Sequence, residues 1–232
     1  TRLNEYLGEM VQIIEEYDGY VDKFIGDGIM AYWGAPLAQK DHASMAIACL
    51  LAMQSAMQKL QAKWLAAGEE PFTIRAGVQS GEVVAGNIGL RGKKMEYTVI
   101  GDTVNQAARL ETSAKYYGVG TLVGEETYLR TREVYSYREL DRVRMVGKQL
   151  PVTVYELIGP VTAQPRRSQQ MFAQALAIYR AHDWMAAEQA FMEIASEFPQ
   201  DQPSAMYLER CQYFIKHPAV SDWDGVFVRS GK

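Results

Sequence analysis

The feature that most constrains this chain is a strand–turn–strand signal close to its beginning. The stretch DGYVDKFIGDGIMAYWG, residues 18–34, is rich in β-branched and aromatic residues and is broken by Gly26-Asp27-Gly28. Such a pattern reads as two strands joined by a tight turn, because glycine reaches the positive φ that tight hairpins demand. Before it, Leu3, Leu7, Met10, Ile14 and Tyr17 recur at spacings of three and four, which predicts an amphipathic helix over residues 2–17. Within residues 23–34 the only charges are Lys23 and Asp27. As a bare pattern they read either as a charge pair at a strand end, worth about 0–1 kcal/mol, or as groups that hold a ligand.

Further along, residues 42–66 predict a second long helix with Met45, Cys49, Met53, Met57, Leu60 and Trp64 on one stripe, which reads as core. PFTIRAGVQSGEVVAGNIG reads as strand, glycine-containing connection and strand, and RGKKMEYTVIG as a loop running into another strand. A helix is predicted over DTVNQAARLETSAKYYG, with Asp102 or Thr103 as N-cap and Gly118 as terminator. GTLVGEETYLRT, YSYRELDRVRM and LPVTVYELIG then supply a strand, a short helix and two more strands. Strands and helices interleave without a repeat, so the predicted class is α+β, an α/β sandwich with one mixed sheet flanked by helices.

The texture changes near Pro160. A polar linker over residues 159–168 separates a domain at 1–158 from a helical extension and tail at 169–232. In the extension Ala175, Ala187, Phe191 and Pro199 match the spacing of a tetratricopeptide-type helical hairpin. One such unit cannot bury its own face, so a helical appendage packed on the main domain or on a partner subunit is expected rather than a repeat array.

Composition excludes several classes. Of 232 residues 48% are apolar and 22% charged, and the net charge is −4, which gives no electrostatic case for nucleic acid or for an anionic membrane. No apolar run reaches the roughly 18 residues of a membrane span, and no secretory signal is recognisable. Cys49 and Cys211 lie far apart in helical contexts, which predicts two buried thiols in a reducing cytosol rather than a disulfide. The chain opens at Thr1 without an initiator Met, so it is expected to be a piece of something longer.

Asn105 and Arg109 stand four apart on a predicted helix and so share a face, where an amide and a guanidinium together can clamp a phosphate. Thr98 on a strand and Lys148 at a glycine turn are unremarkable alone. The combination is more specific. VDKFIGDGIMA, RAGVQSGEVVAGNIG, YTVIGDTVNQAARLE and LDRVRMVGKQLPVTVYEL occur in this order, and together they resemble the class III nucleotidyl cyclase catalytic domain over residues 2–158. LNEYLGEM leading into VDKFIGDGIMA is similar to the bacterial and cyanobacterial subgroup related to bicarbonate-responsive cyclases.

That resemblance implies a ferredoxin-like cyclase domain acting on ATP. It implies that Asp27 is one of two aspartates binding a pair of Mg²⁺ (or Mn²⁺) ions per active site. Lys23 and Thr98 would read the purine, an ammonium donor suiting adenine N1, with Lys148 on the terminal phosphates. Asn105 would orient the ribose and Arg109 stabilise charge at the α-phosphate. The reaction implied is attack of the ribose 3′-OH on the α-phosphorus to give 3′,5′-cyclic AMP and pyrophosphate. Each site would lie between two domains of a head-to-tail homodimer, Asp27 from one and the other residues from its partner. The location implied is cytoplasmic, as the cytosolic end of a parent anchored in a membrane upstream. The alternatives are a guanylyl or dual-specificity cyclase, or a non-catalytic dimerising scaffold with a partner-binding helical tail. The family's first metal aspartate falls before Thr1, so these 232 residues are not expected to cyclise ATP unaided.

Overall fold

The computed structural model describes residues 1–90, 94–144, 151–161, 166–217, 223, 225 and 226. Its centre is a mixed four-stranded sheet in the order β3(Ala76–Val78), β6(Thr121–Gly124), β8(Val152–Pro160), β7(Tyr135–Val143). β3 runs parallel to β6, and the other two pairings are antiparallel. Neighbouring residues on a strand point to opposite faces, and here that alternation builds two cores. Val123 and Tyr155 face the helices α1(Arg2–Glu16) and α2(His42–Ala66), among Met10, Ile14, Ile47, Met57 and Trp64. Leu122 and Val154 face the other way, onto α3(Asp102–Tyr117) and three C-terminal helices. The short helix α4(Glu125–Thr131) closes one end by stacking Tyr128 on Tyr155, ring centroids 3.8 Å apart.

The predicted stripe on α2 is core: Cys49, Met53, Met57, Leu60 and Trp64 are buried, with Met45 half-buried at the margin. Both cysteines are buried and free, and burial pushes each thiol up to about 12. Among the described residues no helix is long and apolar enough to cross a membrane.

The expected single sheet resolves into three. Among the described residues the hairpin β1(Tyr20–Ile25)–β2(Gly28–Tyr32) and the hairpin β4(Val84–Leu90)–β5(Lys94–Ile100) each form a backbone ladder only within themselves. β3 is three residues long, and the chain before it contributes side chains instead of a ladder: Phe72 packs on Tyr6 and Trp64. A second correction concerns α3. Its N-cap is Gly101, not Asp102 or Thr103, because both side chains are engaged elsewhere. Thr103 donates to the Glu82 carbonyl at 2.9 Å, and the Asp102 carboxylate accepts from Gln106 at 2.5 Å. The predicted stop does hold: Gly118 ends α3 in the left-handed conformation at φ 66°.

The C-terminal helices α5(Arg167–Arg180), α6(Trp184–Glu197) and α7(Gln202–Lys216) share one core with the sheet and α3. Asp183 and Asp201 cap α6 and α7 by accepting from the backbone N–H groups of Ala186 and Ser204, both at 3.1 Å. Ala175, Ala187 and Phe191 are fully buried, whereas Pro199 is exposed in the turn between α6 and α7. The face that a lone helical pair leaves open is thus covered by the sheet. Charged residues fix the join. Arg210 of α7 pairs with Asp141 of β7 at 2.8 Å, both side chains 4% exposed, and Arg138 of β7 pairs with Glu156 at 2.6 Å and Asp201 at 2.5 Å. Arg180 of α5 reaches Glu139 at 2.6 Å.

Candidate functional site

The hairpin β1–β2 is not a regular ladder. Cross-strand partners run Tyr20↔Tyr32 and Val21↔Ala31, then jump to Lys23↔Met30, Phe24↔Ile29 and Ile25↔Gly28. Asp22 is therefore the extra residue of a β-bulge, a device that re-aims side chains. On a regular strand Asp22 and Lys23 would point to opposite faces. Here the Lys23 ammonium sits 3.3 Å from Asp22 Oδ2. The same oxygen accepts a hydrogen bond from the Thr98 hydroxyl of β5 at 2.8 Å. The Asp22 side chain is 1% exposed and that of Lys23 is 41% exposed, so the lysine reaches from a buried anchor into solvent. Thr98 is buried beneath it.

Aromatic rings wall this corner. Tyr20 and Tyr32 stack across the hairpin with centroids 5.0 Å apart. Burial, with smaller contributions from Tyr20, Asp22 and Tyr97, pushes the Tyr32 phenol up to about 12, so it stays protonated at neutral pH. Trp33 ties the far end of the hairpin to α1 by donating to the Tyr17 carbonyl at 2.8 Å.

The structure therefore brings Lys23 and Thr98 together, through a residue that sequence reasoning passed over. Asp22 stands inside the quoted VDKFIGDGIMA, and its adjacency to Lys23 was visible, but strand periodicity argues against a shared face and only the bulge reverses that. Asp27 lies elsewhere, exposed at the hairpin tip beside Gly26 at φ 65°. Its charge reaches Tyr6 of α1, whose phenol is raised first by burial and then by Asp27. The ion pair of Lys23 is with Asp22, not Asp27.

Asn105 and Arg109 are exposed on α3, one helical turn apart, as their spacing predicts. Among the described residues no hydrogen bond or ion pair joins them to the Lys23–Asp22–Thr98 cluster. They are nevertheless tied to it by the chain, because α3 follows β5 directly through Gly101. The placement of α3 depends on Gly77 of β3: a Cβ there would stand 2.2 Å from the Ala107 carbonyl oxygen and 2.3 Å from the Glu111 nitrogen. Lys148 lies outside the described residues. A cleft of about 610 Å³ opens beside the start of α3, bounded by His42, Gln79, Glu82, Gln106, Glu126 and Arg130, and none of the predicted site residues among the described residues lines it.

For a metal the residues fit only in part. Asp27 offers one exposed carboxylate, a hard oxygen ligand of the kind Mg²⁺ takes. Among the described residues no group of three or more His, Cys, Asp or Glu side chains gathers to hold an ion. The described residues thus do not assemble a two-metal site by themselves.

The chain matches a known family model, the adenylate and guanylate cyclase catalytic domain, over residues 1–159. This chain belongs to that family. Adenylate cyclase 1 of Rhizobium meliloti (strain 1021) is 32% identical over 161 residues, covering 69% of this chain and 24% of that protein. The chain therefore spans about a quarter of the length of this relative. Among solved structures, the adenylyl cyclase CyaB from P. aeruginosa superposes with a TM-score of 0.63 at 35% identity, covering 72% of this chain and 82% of the other. The guanylyl cyclase Cya2 superposes equally well, with a TM-score of 0.63 at 32% identity over 70% of this chain and 81% of the other. Overall likeness thus establishes the cyclase-domain family and does not separate an adenylyl from a guanylyl relative.

Proposed function

We propose that this cyclase domain binds ATP and, where a second metal-binding carboxylate completes the site, forms 3′,5′-cyclic AMP and pyrophosphate at the interface of a head-to-tail homodimer. The observation that carries the reading is the Lys23–Asp22–Thr98 cluster, in which one buried carboxylate holds both an ammonium that reaches outward and the hydroxyl of Thr98. Adenine N1 is an acceptor and suits an ammonium donor, whereas guanine carries a proton at N1 and asks for an acceptor. In the reaction the ribose O3′ forms a bond to the α-phosphorus, the bond from that phosphorus to the bridging oxygen breaks, and the 3′-OH proton is released.

Asn105 would orient the ribose, Arg109 would stabilise the charge that builds on the α-phosphate, and Lys148 would hold the terminal phosphates. Preorganised donors aimed at developing charge contribute most in chemistry of this type. A divalent metal pair, when bound, would neutralise the phosphates. Asp27, contributed across the dimer interface, would supply one ligand. Residues 1–158 would carry this site, and the tetratricopeptide-like helices of residues 169–232 would brace it.

The test is competition of ATP and GTP for the purified chain, read by displacement of a fluorescent ATP analogue. ATP is expected to bind more tightly by about tenfold, the lower end of what one well-placed polar pair discriminates. The double substitution Lys23→Glu with Thr98→Cys is expected to move the preference toward GTP. Equal displacement by both nucleotides, or an unmoved preference in the double variant, would sink the ATP reading and favour a guanylyl or dual-specificity cyclase.

A further inference from the structure

A hydroxyl is ambivalent in recognition: it has one proton to donate and lone pairs to accept with. Thr98 on its own would discriminate poorly between a purine that presents an N–H and one that presents an oxygen. The structure removes that ambivalence. Thr98 Oγ1 donates its single proton to Asp22 Oδ2 at 2.8 Å, and an ion-paired carboxylate only accepts. Any further partner of Thr98 meets lone pairs alone. Lys23, held by the same oxygen at 3.3 Å, has donors to spare and no acceptor. One carboxylate oxygen therefore holds an acceptor and a donor side by side, in a fixed order.

We propose that Asp22 is a specificity-determining positioning residue that locks the polarity of this edge, making Thr98 acceptor-only and aiming Lys23 beside it. The inference rests on the assignment of Lys23 and Thr98 to the purine. Adenine complements the locked edge, since its 6-amino group donates and its N1 accepts. Guanine opposes it at both places, with an oxygen at position 6 and a proton on N1. The bulge is the structural origin of the lock. Asp22 has no partner on β2, so it can turn to the same side as its neighbour, which an unbroken strand forbids. Burial of the carboxylate, at 1% exposure, keeps water from replacing either partner.

Two triphosphates of nearly the same size isolate the lock from the lysine. N6-methyl-ATP presents an N–H at position 6. 6-Methoxypurine riboside triphosphate presents an oxygen there, and both keep an unprotonated N1 for Lys23. With the full chain and a fluorescent ATP analogue as the displaced probe, the methylamino compound is expected to bind about tenfold more tightly than the methoxy compound. Asp22→Asn, whose amide can itself donate to Thr98, frees the hydroxyl proton and is expected to narrow the ratio to about threefold or less. Equal binding of the two analogues to a wild-type chain that still prefers ATP over GTP overturns the lock and spares the ATP reading. A folded Asp22→Asn protein that keeps the full ratio also overturns it. If Asp22→Asn does not fold, Thr98→Ser and Thr98→Val decide. The lock requires serine to keep the ratio and valine to lose it, and any other pattern refutes it. A wild-type chain that GTP occupies as well as ATP, or that no nucleotide occupies, refutes the base-reading assignment itself and the lock with it.

Discussion

Two buried aspartates invite comparison, Asp22 in the N-terminal hairpin and Asp141 on β7. Their side chains are about equally hidden, 1% and 4% exposed. They differ in where their partners lead. Asp141 accepts from the Tyr117 hydroxyl at 2.9 Å, the Tyr207 hydroxyl at 3.1 Å, the Arg142 N–H at 2.8 Å and the Arg210 guanidinium at 2.8 Å. Tyr117, Tyr207 and Arg210 are themselves buried, and the cluster joins α3, β7 and α7 with no charged group reaching water. Among the described residues Asp22 has two side-chain partners, and one of them carries its charge outward. A closed circuit of this kind holds a fold together. An open one holds a charge in readiness for something that arrives.

The comparison breaks first at Arg210. Arg210→Ala leaves the Asp141 carboxylate buried without its cation, a loss of about 3–5 kcal/mol by analogy with other broken buried pairs. Urea unfolding near neutral pH checks it, and whatever fraction stays folded should keep the ATP-over-GTP ratio of the parent. Asp22→Asn should do the reverse, moving the analogue ratio far more than the urea midpoint. If Arg210→Ala costs less than about 1 kcal/mol, the cluster is no more than a solvated ion pair and the contrast fails.

One helix belongs to both regions. α3 starts at the candidate site with Asn105 and Arg109 and ends in the closed cluster with Tyr117. Its middle presses on Gly77, where an added methyl would meet backbone rather than a side chain able to move aside. Gly77→Ala is therefore expected to cost about 1–3 kcal/mol, the usual range for overpacking, and to lower nucleotide affinity as well, because α3 has to lift. Thermal melting together with nucleotide displacement measures both. A full loss of stability with unchanged affinity would show that Asn105 and Arg109 do not contact the ligand.

How much of this was legible in the sequence follows from the range of each interaction. The hairpin, the Met-lined stripe of α2 and the Gly118 stop are local, and each was readable from periodicity or from one residue's backbone preference. The shared face of Asn105 and Arg109 came from helical spacing in the same way. Asp22 was invisible because its role depends on a register shift between β1 and β2, which alternation along one strand cannot reveal. The caps misread at Asp102 and Thr103 have a similar cause: side chains that would suit an N-cap are drawn off by Gln106 and by the Glu82 carbonyl. The Arg210–Asp141 join links segments far apart in the chain, and no pattern within either segment announces it.

Glu156 lies between the two extremes, and it sharpens the comparison through pH. It is largely buried on β8 and paired with Arg138 at 2.6 Å, yet burial outweighs the arginine and raises its carboxyl above the ordinary 4.5. A carboxyl whose folded-state pKa is raised keeps its proton in the fold after the unfolded chain has lost it. Its contribution to stability is then fully present below about 4.5 and is lost as pH rises through the folded-state value. Glu156→Gln cannot titrate. The stability of the parent relative to this variant should therefore fall as pH is raised from 4.5 toward neutrality, an effect smaller than either substitution above. Urea midpoints of both proteins across that window measure it. A difference that grows with pH instead would mean that Arg138 more than compensates for burial, and would place Glu156 with Asp141 as a fully satisfied carboxylate.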